Sequence, residues 1–176
     1  TSSAPLTLPS HCTMMTATYP PVHGARDNGT FMLQPANLTL AEVLKTAGYT
    51  TAAEVASFIL NREFGLDQGF DIYNDKYSAV QLTEDQDRFK DSRVAEDICN
   101  SALTWLHSAA KEPFFLFLHF FDPHQPCDSP ERFRSQYPEK YVAAIAYVDE
   151  QIGRLLTALE ELKLDGRTLV VLTGDH

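Results

Sequence analysis

Apolar residues fall on two rhythms along this chain. Leu40, Val43, Leu44 and Ala47 recur at helical spacing, as do Ile145, Val148, Ile152, Leu155 and Leu159. Residues 114–121, almost wholly apolar, and the continuous apolar run 169–172 are instead of strand length, the form taken by strands buried on both faces of a sheet. Helices are predicted at residues 10–17, 40–47, 92–109 and 140–162, and strands at 49–58, 114–121 and 167–173. Local chemistry sets several of the ends. Ser10 is placed to cap the first helix, and Tyr19-Pro20-Pro21 stops it. Thr39-Leu40-Ala41-Glu42 has the form of a capping box, and Gly48 closes the helix it opens. Val94, Ile98, Leu103 and Trp105 are the apolar candidates of the third helix, and Asp165-Gly166 turns the chain into the last strand. Residues 65–91 form a long connection with aromatic anchors at Phe70, Tyr73 and Tyr77, a length typical of loops that cover a functional face or wrap a domain. A proline-rich loop runs to Pro138. Helices alternating with strands predict an α/β fold with a mostly parallel sheet.

Charge narrows the range of partners. Fourteen basic against twenty-four acidic side chains give a formal charge of -10, a surface that repels nucleic acid. An anionic substrate then needs local positive charge, which a bound metal ion supplies most directly. No apolar stretch reaches the length of a membrane span. Cys12, Cys99 and Cys127 are odd in number and widely spaced, so they form neither a zinc knuckle nor a disulfide framework. Asn28-Gly29-Thr30 and Asn37-Leu38-Thr39 fit the glycosylation triplet, which matters only in an exported eukaryotic protein. Cytoplasmic and extracytoplasmic locations both fit the composition.

Candidate chemistry gathers where two strands end. The run at 114–121 leads into Asp122-Pro123-His124, and the final run leads into Asp175-His176. If the two strands are parallel, their carboxyl ends share the crevice where open α/β sheets bind ligands, with His124 and Asp175 at one edge. A carboxylate beside an imidazole is a divalent-metal ligand pair. Asp122, before a proline, is expected to accept backbone hydrogen bonds. His119 is expected as a hydrogen-bonded core residue, His107 as a surface residue, and Cys12 as a packing residue.

Four stretches carry a resemblance to a known family. They are Thr7-Leu8-Pro9-Ser10-His11 with Met14-Met15-Thr16 and the Tyr19-Pro20 and His23-Gly24 pairs; Leu40-Ala41-Glu42-Val43-Leu44 leading to Ala47-Gly48-Tyr49-Thr50-Thr51; residues 114–121 with Asp122-Pro123-His124-Gln125-Pro126; and Tyr147-Val148-Asp149 with Gly153-Arg154-Leu155-Leu156, continuing through residues 168–176. In order and spacing the chain resembles the sulfatase branch of the alkaline phosphatase superfamily. The resemblance implies a three-layer α/β sandwich with a mostly parallel central sheet, incomplete in this chain. Residues 1–176 are expected to be part of a sulfatase-like catalytic domain, lacking its first strand and the portion beyond the late metal-ligand pair.

The resemblance also implies roles. The family signature begins with a cysteine that is oxidised to formylglycine, the nucleophile and a metal contact; the matching position is Thr7. A threonine has no thiol to oxidise, so no formylglycine is expected there. His11 occupies the substrate-binding arginine position. His124 matches the histidine that contacts the ester and helps the leaving group depart, and Asp175 and His176 match the late metal pair. The family's Gly-Lys-Trp region has no counterpart between Thr50 and Gly69, and its first aspartate pair would precede Thr1. The expected cofactor is a divalent metal ion: calcium, or zinc or manganese if the site is phosphatase-like. The expected partner is an anionic ester, with self-association through an unpaired sheet edge. Three functions stay open: a sulfatase, a phosphodiesterase or phosphomonoesterase using Thr7, and a non-catalytic sulfatase-like module. Residues 1–176 alone are expected to be inactive.

Overall fold

The computed structural model describes residues 2–76, 92–108 and 113–176. Its elements are α1 (Thr7–Thr16), α2 (Pro20–His23), α3 (Leu40–Thr46), β1 (Thr50–Glu54), β2 (Ile72–Asn74), α4 (Ala95–Ser108), β3 (Phe114–Leu118), α5 (Glu131–Arg134) and α6 (Lys140–Glu161). The three strands form one parallel sheet in the order β2-β1-β3, with Thr50 opposite Phe114 and Ala52 opposite Ile72.

Alternation along the strands divides the core into two layers. Phe114, Leu116 and Leu118 point to the side covered by α4 and α6, where Cys99, Ala102, Trp105, Leu106, Leu155 and Leu159 are buried with Ala52. Phe117 and Ala53 point to the other side, against Leu8, Cys12 and Met15 of α1 and the turns carrying Phe58, Leu60 and Phe64. Helices therefore cover both faces of a parallel sheet, as the alternation of rhythms predicts. The small residues of β1 leave room for both layers.

The capping box forms as expected. Thr39 accepts the backbone N–H of Glu42 at 3.2 Å, and Glu42 accepts the N–H of Thr39 at 2.8 Å. Gly69 lies against this turn with φ +87°, and a Cβ there would sit 2.2 Å from the Glu42 nitrogen. Gly69→Ala is therefore expected to cost roughly 2–4 kcal/mol, since backbone has to move and the conformation suits only glycine. Gly166→Ala, where a Cβ meets nothing within 4 Å, is the control, expected within about 0.5 kcal/mol of wild type. Chemical unfolding of the intact protein reads both; equal stability of the two variants would contradict the packing.

Several expectations are corrected. The first helix starts at Thr7, not Ser10: Leu6 is the N-cap without a side-chain cap bond, and Pro9 fits the first turn because its missing N–H has no intrahelical acceptor there. Ala17, at φ +54°, ends that helix, and Pro20 opens α2 instead of closing α1. Leu40 and Val43 are exposed, while Ala41 is the buried residue of α3. Ile145 is exposed as well, and Ala143, Ala144 and Tyr147 take the inner side of α6. Val94 lies outside α4 and is exposed, whereas Ile98 and Trp105 are buried as expected. Strand β3 lies at the edge of the described sheet, half-buried throughout, and ends at Leu118. Strand β2 lies within the connection read as loop. Tyr77 and Ala109 fall outside the described residues.

The largest correction concerns residues 167–173. They are not a strand of the sheet: a single 3₁₀ turn covers Asp165–Arg167, and no strand forms from there to His176. Leu169 is 88 % exposed and Leu172 77 %. Apolar, β-branched composition favours extended backbone, but a strand also needs a neighbour to pair with, and none of the described residues forms a ladder with this run.

Candidate active site

Thr7 is the first residue of α1, and its side chain is buried. The helix start is held from outside: the Asn28 carboxamide oxygen accepts the N–H of Leu8 at 2.9 Å, one of the groups that a helix cannot satisfy itself. One turn along, the Ser10 hydroxyl donates to the backbone carbonyl of Asp175 at 2.5 Å, and the Ser2 hydroxyl donates to the same carbonyl. These bonds fix the Asp175-His176 pair against α1 although its segment joins no sheet.

Side chains converge there. Thr7 Oγ1 lies 3.5 Å from His176 Nε2. Asp175 Oδ2 lies 3.6 Å from His176 Nε2 and 3.8 Å from His11 Nδ1. The backbone N–H of His176 donates to Asp175 Oδ1 at 3.1 Å, folding the pair on itself. His11 is buried, and its Nδ1 sits 2.8 Å from the Thr7 carbonyl. A carbonyl only accepts, so Nδ1 carries the proton and a neutral His11 ring keeps its lone pair on Nε2. Burial pushes the His11 pKa down; the bond to the Thr7 carbonyl and the Asp175 charge oppose this, and His176 adds to it.

His124 stands apart from this cluster. It is exposed in a tight turn closed by its N–H to the Phe121 carbonyl at 2.9 Å. Its Nδ1–H donates to the Gln125 carbonyl at 2.8 Å, and its ring stacks on Phe121 with centroids 4.4 Å apart. The turn is anchored by Asp122, which accepts the N–H of Ala95 at 3.0 Å and so caps α4 from a distant part of the chain. Burial raises the Asp122 pKa, with the Ala95 bond opposing. The expectation of a backbone acceptor at Asp122 is met, through a helix end and not its own turn. The expected pairing of the two strand ends does not form; His119, just past β3, lies 5.1 Å from the His11 ring and 6.2 Å from Phe121, so rings and not sheet contacts link the two regions.

Thr7, His11, Asp175 and His176 are thus brought together, whereas His124 is linked to His11 only through the rings of Phe121 and His119. Sequence reasoning passed over Asn28, Ser2, Ser10 and His119 as parts of this arrangement. Asn28 was visible only as a glycosylation triplet, and Ser10 as a cap and a member of the signature stretch, with no partner assigned to it. For a divalent ion, the Asp175 carboxylate, the His176 imidazole and the Thr7 hydroxyl are oxygen and nitrogen donors of the right kind. They fit part of a coordination shell; among the described residues no group of three His, Cys, Asp or Glu side chains completes one.

The mixed α/β fold with its parallel three-stranded sheet is that of the alkaline-phosphatase-like class, shared with a protein in the alkaline phosphatase superfamily from Vibrio parahaemolyticus. The model of the Sulfatase family matches residues 1–176, and the chain belongs to that family. It is 33% identical over 93 residues to Arylsulfatase H of Homo sapiens, covering 52% of this chain and 16% of that protein. It is 26% identical to the Ulvan-active sulfatase of Formosa agariphila, covering 99% of this chain and 42% of the relative. The chain therefore spans less than half the length of these two curated relatives. Among solved structures, the phosphonate monoester hydrolase of Agrobacterium radiobacter superposes with a TM-score of 0.76 at 16% identity, over 99% of this chain and 54% of that one. No helix among the described residues is long and apolar enough to cross a membrane.

Proposed function

We propose that this chain is part of the catalytic domain of a metal-dependent sulfate-ester hydrolase, with Thr7 in the nucleophile position. The observation that carries the proposal is the approach of Thr7 Oγ1 to His176, beside Asp175, in a chain of the Sulfatase family. In this reading Asp175 and His176 hold a divalent ion. When bound, that ion supplies a Lewis acid that makes an adjacent hydroxyl easier to deprotonate. Thr7 Oγ1 attacks the sulfur of the ester as its proton passes to water, and the bond from sulfur to the leaving oxygen breaks as that oxygen takes a proton from Nε2 of the His124 imidazolium, whose Nδ1–H stays on the Gln125 carbonyl. Water then releases the ester formed on Thr7. In this reading His11, held by its bond to the Thr7 carbonyl, stands in the substrate-binding position. The Asn28 and Ser10 bonds fix the helix start and the carboxylate segment relative to each other, so little reorganisation is needed on binding.

One observation favours a second reading. An unmodified threonine is an ordinary alcohol, and formylglycine chemistry is closed to it, which suits transfer from phosphorus as well as from sulfur. Assays of the intact protein on nitrophenyl sulfate, nitrophenyl phosphate and bis(nitrophenyl) phosphate, before and after chelation and metal return, separate the readings. Hydrolysis of the sulfate, lost on chelation and restored by the ion, is the expected result. Activity on phosphorus esters alone would select the second reading, and activity on none of the three would leave a non-catalytic module.

A further inference from the structure

His119 occupies a place that neither the family signature nor the strand pattern marks. Its backbone N–H donates to the Glu54 carbonyl at 3.0 Å, carrying the β1–β3 pairing one residue past the strand. Its Nδ1 accepts the N–H of Ala56 at 3.4 Å, which fixes the rotation of the ring and places the proton of the neutral imidazole on Nε2. The ring so held meets His11 edge to face, with centroids 5.1 Å apart and planes at 84°. On its other side it lies 6.2 Å from Phe121, whose ring stacks at 4.4 Å on His124.

We propose that His119 is a positioning residue for the ester site, bracing His11 directly and His124 through Phe121; this rests on the hydrolase reading above. Two of the side chains assigned to the substrate come from distant segments, one from a helix and one from a loop. Among the described residues, His119 is the ring in contact with both routes. It is also anchored to the sheet by a backbone bond and a side-chain bond, so it transmits the rigidity of β1 and β3 to both. Phenylalanine would fill the same space, but it would lack the Ala56 bond that sets the ring's angle. A misplacement of about 1 Å at reacting groups is enough to cost on the order of 100-fold in rate.

The test uses the intact protein with two variants. In H119N the carboxamide oxygen replaces Nδ1 as acceptor for Ala56 and the ring is lost; in H119F the ring stays and the acceptor is lost. Histidine-selective ¹⁵N spectra without substrate read the rings of His11 and His124, and kinetics on the ester that the protein hydrolyses read turnover. H119N is expected to shift both histidines' ring signals and to lower kcat about 10–100-fold, with KM changed less than about threefold. H119F is expected to retain more turnover than H119N. In a double variant with H11N, the further loss caused by H119N should be smaller than its loss in the wild-type background, because part of its effect passes through His11. Unmoved ring signals in both variants, multiplied losses in the double variant, or better turnover in H119N than in H119F would overturn the proposal. If the wild-type protein hydrolyses none of the three esters, the functional reading fails, while the spectra still decide whether His119 sets the two rings.

Discussion

Thr7→Ala in the intact protein is expected to abolish ester hydrolysis, by roughly 1,000-fold or more, while the folded state is kept. Loss of an attacking oxygen cannot be compensated by the groups around it. Thr7 Oγ1 makes no capping bond in α1, so its removal leaves the helix start held by Asn28. Thr7→Ser keeps the oxygen and is expected to stay within about tenfold of wild type, since it loses only the methyl group that fixes the rotamer. Initial rates and the mass of the peptide spanning residue 7 form the measurement. The peptide should carry plain threonine. If Thr7→Ala keeps more than a tenth of the activity, the nucleophile lies elsewhere.

The second large effect separates two residues that end similar motifs. Asp175→Ala is expected to lower metal content and activity together, because the carboxylate supplies both charge and a ligand. His124→Ala should slow turnover by roughly 100- to 10,000-fold and leave metal content unchanged, since it acts on the leaving group. Metal analysis of the two purified variants beside their rates distinguishes these outcomes. Equal metal loss in both would make His124 a ligand. The distance in the structure agrees with separate roles: Asp175 lies within 3.8 Å of two imidazoles, while His124 reaches them only through Phe121 and His119.

What could be read in the sequence was mostly local. The Thr39–Glu42 box is visible because its two hydrogen bonds involve residues three apart, and α6 because eight buried positions repeat along one helix. The start of α1 was also legible, had Pro9 been taken as a first-turn residue; a serine that looks like a cap drew the boundary inward. Strand β2 was not legible, because three residues flanked by Asp71 and Asp75 carry no rhythm. Residues 169–172 show the opposite failure: composition marks a strand, yet pairing belongs to two segments and cannot be read from one. The candidate site was legible as residue types, Thr7, His11, Asp175 and His176, because the family signature contains them. The supports were not. Asn28, Ser2, Ser10 and His119 act through distances to other segments, which no spacing along the chain encodes.

The bonds from Ser2 and Ser10 to the Asp175 carbonyl join residues 173 and 165 positions apart in the sequence. Closing so large a loop costs conformational entropy that nearby contacts do not, so such contacts form after helices and adjacent strands have been made. The helices of this chain can therefore form before Thr7, His11, Asp175 and His176 are brought together. The order in which parts of the polypeptide leave a ribosome has the same effect: Thr7 and His11 emerge early and meet Asp175 and His176 only after the intervening residues have been made.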